Sequence, residues 1–357
     1  MKSRAPRADG RKKMDSELLL AAAASLSLAV VVAPPQVARG SLLTWGLLGL
    51  AGMAAMVVAP SLDLILLILV VLAVLQARLT SHRDFARRLR APVLAVALMA
   101  LGLAFERVPG PAVLERFGAV GLVAGLVAAI GLLPFVHEFD PEESVVASPI
   151  PWMAFVGPLL AATVLSRAKQ VLPAEAGDAF GAMLIGLGLL NMLWGSLGSW
   201  RTAGDAAAWR YSFMADWGLV LCGFGLAIAD GQAAALLLLF TIVLGRLPLY
   251  LFSRQALREK NPTDRPINLV VAAVLAGSAP FAGFPARVLL LRGATQLYWP
   301  LALVLAVGML LWLPASLRLG RSMGMPRGRQ ALGVAVVLAV NIFLGLYPQP
   351  LLALAGL

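Results

Sequence analysis

The chain has 357 residues, of which 60% are hydrophobic and only 13% charged, with a mean hydropathy of +0.87. A soluble domain carries about 45–50% apolar and about 25% charged residues, so the composition is that of a polytopic membrane protein with no room for a large soluble catalytic domain. The net charge of +11 does not signal nucleic acid: the basic residues gather in short loops between apolar runs, and no basic helix is interleaved with base-stacking aromatics. From the N-terminus, Met1 to Lys13 holds six Lys or Arg and reads as a basic cytoplasmic tail, 1–16, ahead of a single transmembrane domain, 17–357. The same pattern opens a signal peptide, but Pro34 and Pro35 stand where a small-residue cleavage site would follow, which favours an uncleaved first span.

A span needs about 20 apolar residues. Spans are predicted at 17–33, 41–59, 61–78, 91–106, 117–135, 150–166, 179–199, 211–229, 232–253, 267–283, 299–316 and 331–347. The stretch 284–297 is too short to cross alone and reads as the second half of a broken helix. The fold class is all-α: a polytopic membrane helix bundle of about 11–13 transmembrane helices, some of them broken. Three basic loops, 78–90, 254–265 and 318–329, belong on the cytoplasmic side. Six crossings separate the first two and two separate the last two, which is consistent. Three separate the N-terminal tail from 78–90, which is not.

Pro149, Pro151, Pro158, Pro248, Pro280 and Pro285 interrupt apolar segments. Transporters tolerate broken backbone where it lines a cavity. Two of these prolines lie beside intramembrane cations: Arg246, in Thr241-Ile242-Val243-Leu244-Gly245-Arg246-Leu247-Pro248, and Arg287, in Ala279-Pro280-Phe281-Ala282-Gly283-Phe284-Pro285-Ala286-Arg287. A cation at broken membrane backbone marks an ion or substrate path, although capping of free carbonyls or snorkelling would also hold it.

Four segments resemble the antiporter-like membrane subunits of respiratory complex I, shared with Mrp-type cation/proton antiporters and membrane-bound hydrogenases. Gly131-Leu132-Leu133-Pro134-Phe135-Val136-His137-Glu138-Phe139-Asp140-Pro141 is similar to that family's proline-phenylalanine-histidine loop, and Ser148-Pro149 and a helix ending at Arg167 follow it. Tyr211-Ser212-Phe213-Met214-Ala215-Asp216-Trp217-Gly218 resembles its Tyr-Ser-Ser-Ile-Ser-His-Met-Gly. The Arg287 segment resembles its Pro-x-x-Gly-Phe-x-Gly-Lys, and Asn341 to Pro348 its closing helix. The resemblance covers about 120–357, and weakly 61–78. It implies an integral protein of the bacterial inner membrane, with other membrane subunits and the lipid bilayer as partners, no cofactor and no active site of its own.

In that family protons pass along buried ionisable residues on broken helices. The resemblance would put a glutamate near Leu72, lysines near Leu159 or Leu160 and near Ala206, a histidine at Asp216, and lysines at Arg246 and Arg287. Arginine does not deprotonate in proteins, so weak proton conduction by a shortened, degenerate member is expected. The ion-path candidates are Arg287, Arg246, Asp216, Arg210 and His137. Asp216, five residues into its span, suits an interfacial carboxylate or a buried arginine partner.

Other features have plainer readings. His137, Glu138, Asp140, Glu142 and Glu143 offer oxygen and nitrogen ligands but read as a solvated loop. Asp205 and Asp230 suit helix ends. Trp152, Trp194, Trp200, Trp209, Trp217, Trp299 and Trp312 fall mostly near span ends, as an aromatic belt would. Cys222 is the sole cysteine, and His82 and His137 are the sole histidines, so no disulfide, haem, iron–sulfur or zinc site is expected from this chain alone. Two other functions stay open: a stand-alone secondary transporter with Arg287 binding an anion, and a membrane enzyme using the loop at His137.

Overall fold

The computed structural model describes residues 6–32, 39–80, 85–108, 112–137, 152–171, 174–256, 265–324, 326 and 328–354. They form α1 (Pro6–Val32), α2 (Arg39–Val58), α3 (Leu62–Thr80), α4 (Phe85–Arg107), α5 (Ala112–Ile130), α6 (Gly157–Val171), α7 (Ala174–Arg201), α8 (Asp205–Gly225), α9 (Ala229–Thr241), α10 (Leu247–Ala256), α11 (Pro266–Ala276), α12 (Gly283–Leu297), α13 (Trp299–Leu311), α14 (Leu313–Ser322), α15 (Arg329–Leu346) and α16 (Gln349–Leu354). There is no strand among the described residues. Each of the twelve predicted spans falls on a helix, and α12 is the separate half-helix read at 284–297. Among the described residues seven helices are long and apolar enough to cross a membrane, and three more are shorter apolar pieces.

α1 starts well before the predicted first span, and its Asp15 and Leu18 are buried. Three helices, α1 to α3, separate this start from residues 81–84. All three predicted early segments are helices, so the parity mismatch is not removed by dropping one of them.

One rod runs through the centre. α9 and α10 join through a π-helical turn, Ile242–Arg246, and the stretch Ala229–Ser253 is almost wholly enclosed, whereas less than a third of the residues of Phe85–Arg107 and Arg329–Leu346 are buried. A second π-helical turn, Trp152–Val156, leads into α6. Each turn ends two residues before a proline, Pro158 or Pro248. Proline cannot donate to the i−4 carbonyl and its ring crowds that turn, and the widened π turn takes up the misfit. Other helices supply the missing donors: Ser25 Oγ donates to Val243 O (2.7 Å) and Trp217 Nε1 to Met153 O (3.1 Å).

Two helices stop at the same motif, Gly-x-x-Pro-Phe. After α5 the chain turns at Gly131 (φ 84°), and after α11 at Gly277 (φ 62°). Both glycines hold a left-handed conformation open to glycine at little cost. Leu132 N–H then bonds Val127 O (3.0 Å) and Ser278 N–H bonds Ala273 O (3.1 Å), a matching pair of 6→1 closures. Phe135 N–H and Phe281 N–H close the following turns on Leu132 O and Ser278 O. α15 crosses the second break closely: a side chain on Gly345 would collide with the carbonyl of Pro280. Pro285 sits in the first turn of α12, where its missing N–H is not needed.

Trp194, Trp200 and Trp299 are each more than half exposed, as an aromatic belt requires, whereas four others are not. Trp152, Trp209, Trp217 and Trp312 are all buried. Three of these indoles donate to backbone carbonyls near helix interruptions: Trp152 to Ala129 O (2.8 Å), Trp217 to Met153 O and Trp312 to Leu275 O (2.8 Å). An indole combines a large apolar body with one donor, which suits a carbonyl stranded away from water. Cys222 is buried, as expected.

Asn191 of α7 is buried and clasps Leu133 in the first break: Oδ1 accepts from Leu133 N–H (2.9 Å), while Nδ2 donates to Leu133 O (3.1 Å) and, within α7, to Leu187 O (2.9 Å). An unsatisfied buried backbone group costs about 1–3 kcal/mol. Asn191→Leu should therefore lower the stability of the detergent-solubilised chain by about 3 kcal/mol, counting two such groups. An unchanged thermal unfolding transition would refute this role.

Candidate functional site

Asp216 lies in the middle of α8, because that helix begins at Asp205 and not at 211 as expected. Its side chain points inward and is 3% exposed. Ser212, one turn earlier, shares its face. Arg246 closes the π turn of the central rod and is 2% exposed. Its Nε ion-pairs with Asp216 Oδ2. Nη1 donates to Ser212 Oγ (3.2 Å) and Nη2 to Leu275 O (2.8 Å). The guanidinium lies over the Trp312 ring, with Cζ 4.8 Å from the centroid. One cation is thus held by a carboxylate, a hydroxyl, a carbonyl next to the second break and an aromatic face. Ser212, Trp312 and the Leu275 carbonyl were not expected here. Gly245, beside Arg246, faces the amide of buried Asn341 on α15, whose Nδ2 donates to Val337 O (2.9 Å).

Arg287 is the fifth residue of α12. Its guanidinium reaches back across the break and covers Gly277, where any side chain would collide with it. Its Nε is buried and has no hydrogen-bond partner among the described residues. Asp216 and Arg246 are close enough to act on it electrostatically. The structure therefore brings Arg246, Asp216 and Arg287 to one place, between the π turn and the second break.

Arg210 and His137 lie elsewhere. Arg210 precedes Asp216 by six residues, roughly 9 Å along the helix. Its Nη2 donates to His137 O (2.6 Å), and His137 Nε2 bonds Ala128 O (2.9 Å). This pair fastens the end of α5 at the first break. The acidic residues Glu138, Asp140, Glu142 and Glu143 lie outside the described residues. Among the described residues no group of three His, Cys, Asp or Glu could hold a metal.

The positions where the resemblance placed further proton-relay groups are apolar and closed. Leu72 is 4% exposed and packs on Gly52, Leu159 and Leu160 are fully buried, and Ala206 is buried too. Asp63, at the start of α3, pairs with Arg107 at the exposed end of α4. Asp205 and Asp230 take the helix-end roles expected of them. Asp205 accepts from Arg318 (3.0 Å), which also donates to Ala203 O at the end of α7 (3.0 Å). Asp230 takes a bidentate bond from Arg292 of α12, with Gln296 beside it at 3.4 Å.

No family model matches the chain. It is similar to NADH-quinone oxidoreductase subunit N of Ectopseudomonas mendocina (strain ymp), 27% identical over 279 residues, covering 69% of this chain and 56% of that protein. The chain thus spans little more than half the length of that relative. Its fold matches a chain of respiratory complex I from Thermus thermophilus with bound NADH, at a TM-score of 0.74 and 15% identity, covering 96% of this chain and 84% of that one. It also matches a chain of the Mrp complex from Dietzia sp. DQ12-45-1b, at a TM-score of 0.76 and 15% identity, covering 97% and 44%. A third match is a chain of the membrane-bound sulfane sulfur reductase, an archaeal respiratory membrane complex, at 0.72 and 16%, covering 93% and 64%. The chain is an integral membrane protein and shares the fold of these three chains.

Removing one partner of a buried ion pair costs about 3–5 kcal/mol, because the other charge is left unpaired, whereas replacing both by apolar residues of similar volume is often nearly neutral. Arg246→Met and Asp216→Leu should each lower the unfolding temperature of the purified chain sharply, and the double variant should recover most of the loss. Additive losses in the double variant would refute the coupling.

Proposed function

We propose that the chain is a membrane subunit of a complex I-like (NADH:quinone oxidoreductase-type) or related ion-translocating assembly, a reading supported by its likeness to NADH-quinone oxidoreductase subunit N and by its fold. It contributes to or scaffolds proton or cation translocation there, with reduced proton conduction of its own. Its place is the bacterial inner membrane, among other membrane subunits. The chain has no redox centre in this reading and acts through Arg246, Asp216 and Arg287 as an electrostatic axis, with Arg210 and His137 fastening the backbone beside it.

The observation that carries this reading is the enclosed Arg246–Asp216 pair at a π turn, next to a broken helix. A proton relay needs groups that gain and lose protons near neutral pH. Lysine can be tuned into that range by burial, and arginine cannot. Apolar side chains at Leu72, Leu159 and Leu160 remove further relay steps. What remains is a fixed charge pattern at mid-helix, able to respond to charge movement in a neighbour without passing a proton onward.

The unpartnered Nε of Arg287 favours a second reading, a stand-alone transporter whose midplane cation binds an anionic substrate. Purification of the tagged chain in mild detergent separates the two. A subunit brings other membrane subunits and a redox arm with it. A chain that comes down alone and monodisperse would sink the subunit reading. In proteoliposomes the wild-type chain should show little proton leak, and Arg246→Lys with Arg287→Lys should raise it, because lysine restores groups that can deprotonate. A high wild-type leak would contradict the reduced conduction proposed here.

A further inference from the structure

We propose that the second helix break holds a small monovalent anion of the halide class, bound by Arg287. The three charges at the site do not cancel. Asp216 contributes one negative charge, and Arg246 and Arg287 contribute one positive charge each. Among the described residues, the charges acting on Arg287 are Asp216 and Arg246, and those acting on Asp216 are the two arginines. The cluster therefore carries a net charge of one positive unit. A lysine could shed the excess by losing a proton, but arginine has no such route. An uncompensated charge inside a membrane protein is costly, so a counter-charge is called for.

The surrounding backbone does not supply it. The negative end of α11 and the positive end of α12 meet in the same break and oppose each other. Three of the last four carbonyls of α11 are already engaged: Ala273 O by Ser278 N–H and Oγ, Val274 O by Gly277 N–H, and Leu275 O by Arg246 and Trp312. Asp216 is engaged by Arg246. Arg287 is left with a buried Nε that has no hydrogen-bond partner among the described residues.

Enclosure differs across the cluster. Arg246 and Asp216 are sealed, while Arg287 is only partly buried and lies between exposed Phe284 and Val288 on the outer face of α12. This site rests on the charge count and not on membership in an assembly, so it can be tested on the full chain alone.

The test is thermal unfolding of the purified full-length chain in uncharged detergent, with sodium chloride or sodium bromide against sodium gluconate at equal ionic strength. Ligand that binds the folded state raises its stability with concentration. The wild-type chain should show a saturable rise in unfolding temperature with chloride and bromide but not with gluconate. Arg287→Gln should lose that rise and Arg287→Lys should keep it. Asp216→Asn, which adds a further unit of positive charge to the cluster, should reach half-saturation at lower chloride. Identical behaviour in chloride and gluconate, or an undiminished chloride response in Arg287→Gln, would overturn the site, whatever the pull-down shows about partners.

Discussion

A guanidinium enclosed in a membrane bundle must have every donor direction answered, and the centre of this protein is arranged around that demand. Arg246 stands on the most enclosed of the candidate membrane spans among the described residues. The π turn beneath it, Asp216 and Ser212 on α8, the Leu275 carbonyl of α11 and the ring of Trp312 each meet one side of it. Four separate stretches of chain therefore have their relative positions fixed by one side chain. The demand comes from the low polarity of the interior, where an unpaired charge is far more costly than in water.

The same rule governs the backbone. Wherever a proline or a left-handed glycine interrupts a helix, carbonyls and amides lose their intrahelical partners, and bulk water is not at hand to replace them. Here the replacements are side chains from other helices. Ser25 serves the central π turn, Trp217 the one before α6, Asn191, His137 and Trp152 the end of α5 and its break, and Trp312 the end of α11. The two Gly-x-x-Pro-Phe breaks share one hydrogen-bond pattern, so the bundle meets the same local problem twice and solves it each time from a neighbouring helix.

The bundle itself was readable from the chain, because apolar length is a direct demand of the bilayer. The break before α12 was readable from Gly277, Pro280 and Pro285. The convergence of Arg246, Asp216 and Arg287 was suggested by their setting, but Asp216 stayed ambiguous since Asp205 and Arg210 make the start of α8 look like a loop. In the structure the helix starts earlier, with Asp205 paired to Arg318 and Arg210 hydrogen-bonded to the carbonyl of His137. Charge type did not reveal direction either: Arg210 and His137 turn to the first break and leave the axis. The buried tryptophans were missed because proximity to a span end resembles a belt. Their closeness to prolines and helix interruptions was the available signal. Asn191 and Ser25, lone polar residues in apolar runs, carried a similar signal: such a group in a membrane needs a partner.

One feature outside the charged centre has a mechanical meaning. Asp230 opens the helix that carries Arg246, and Arg292 belongs to the half-helix that carries Arg287. Their bidentate bond, with Gln296 beside it, rivets the two supports of the cluster together at a second point. The half-helix is also held by its buried Leu290, Gly293 and Ala294 and by its direct continuation into α13 at Trp299. The Arg292–Asp230 pair adds a tie near that far end, so the two supports of the cluster are linked at both ends of the half-helix and a shift of one presses on the other.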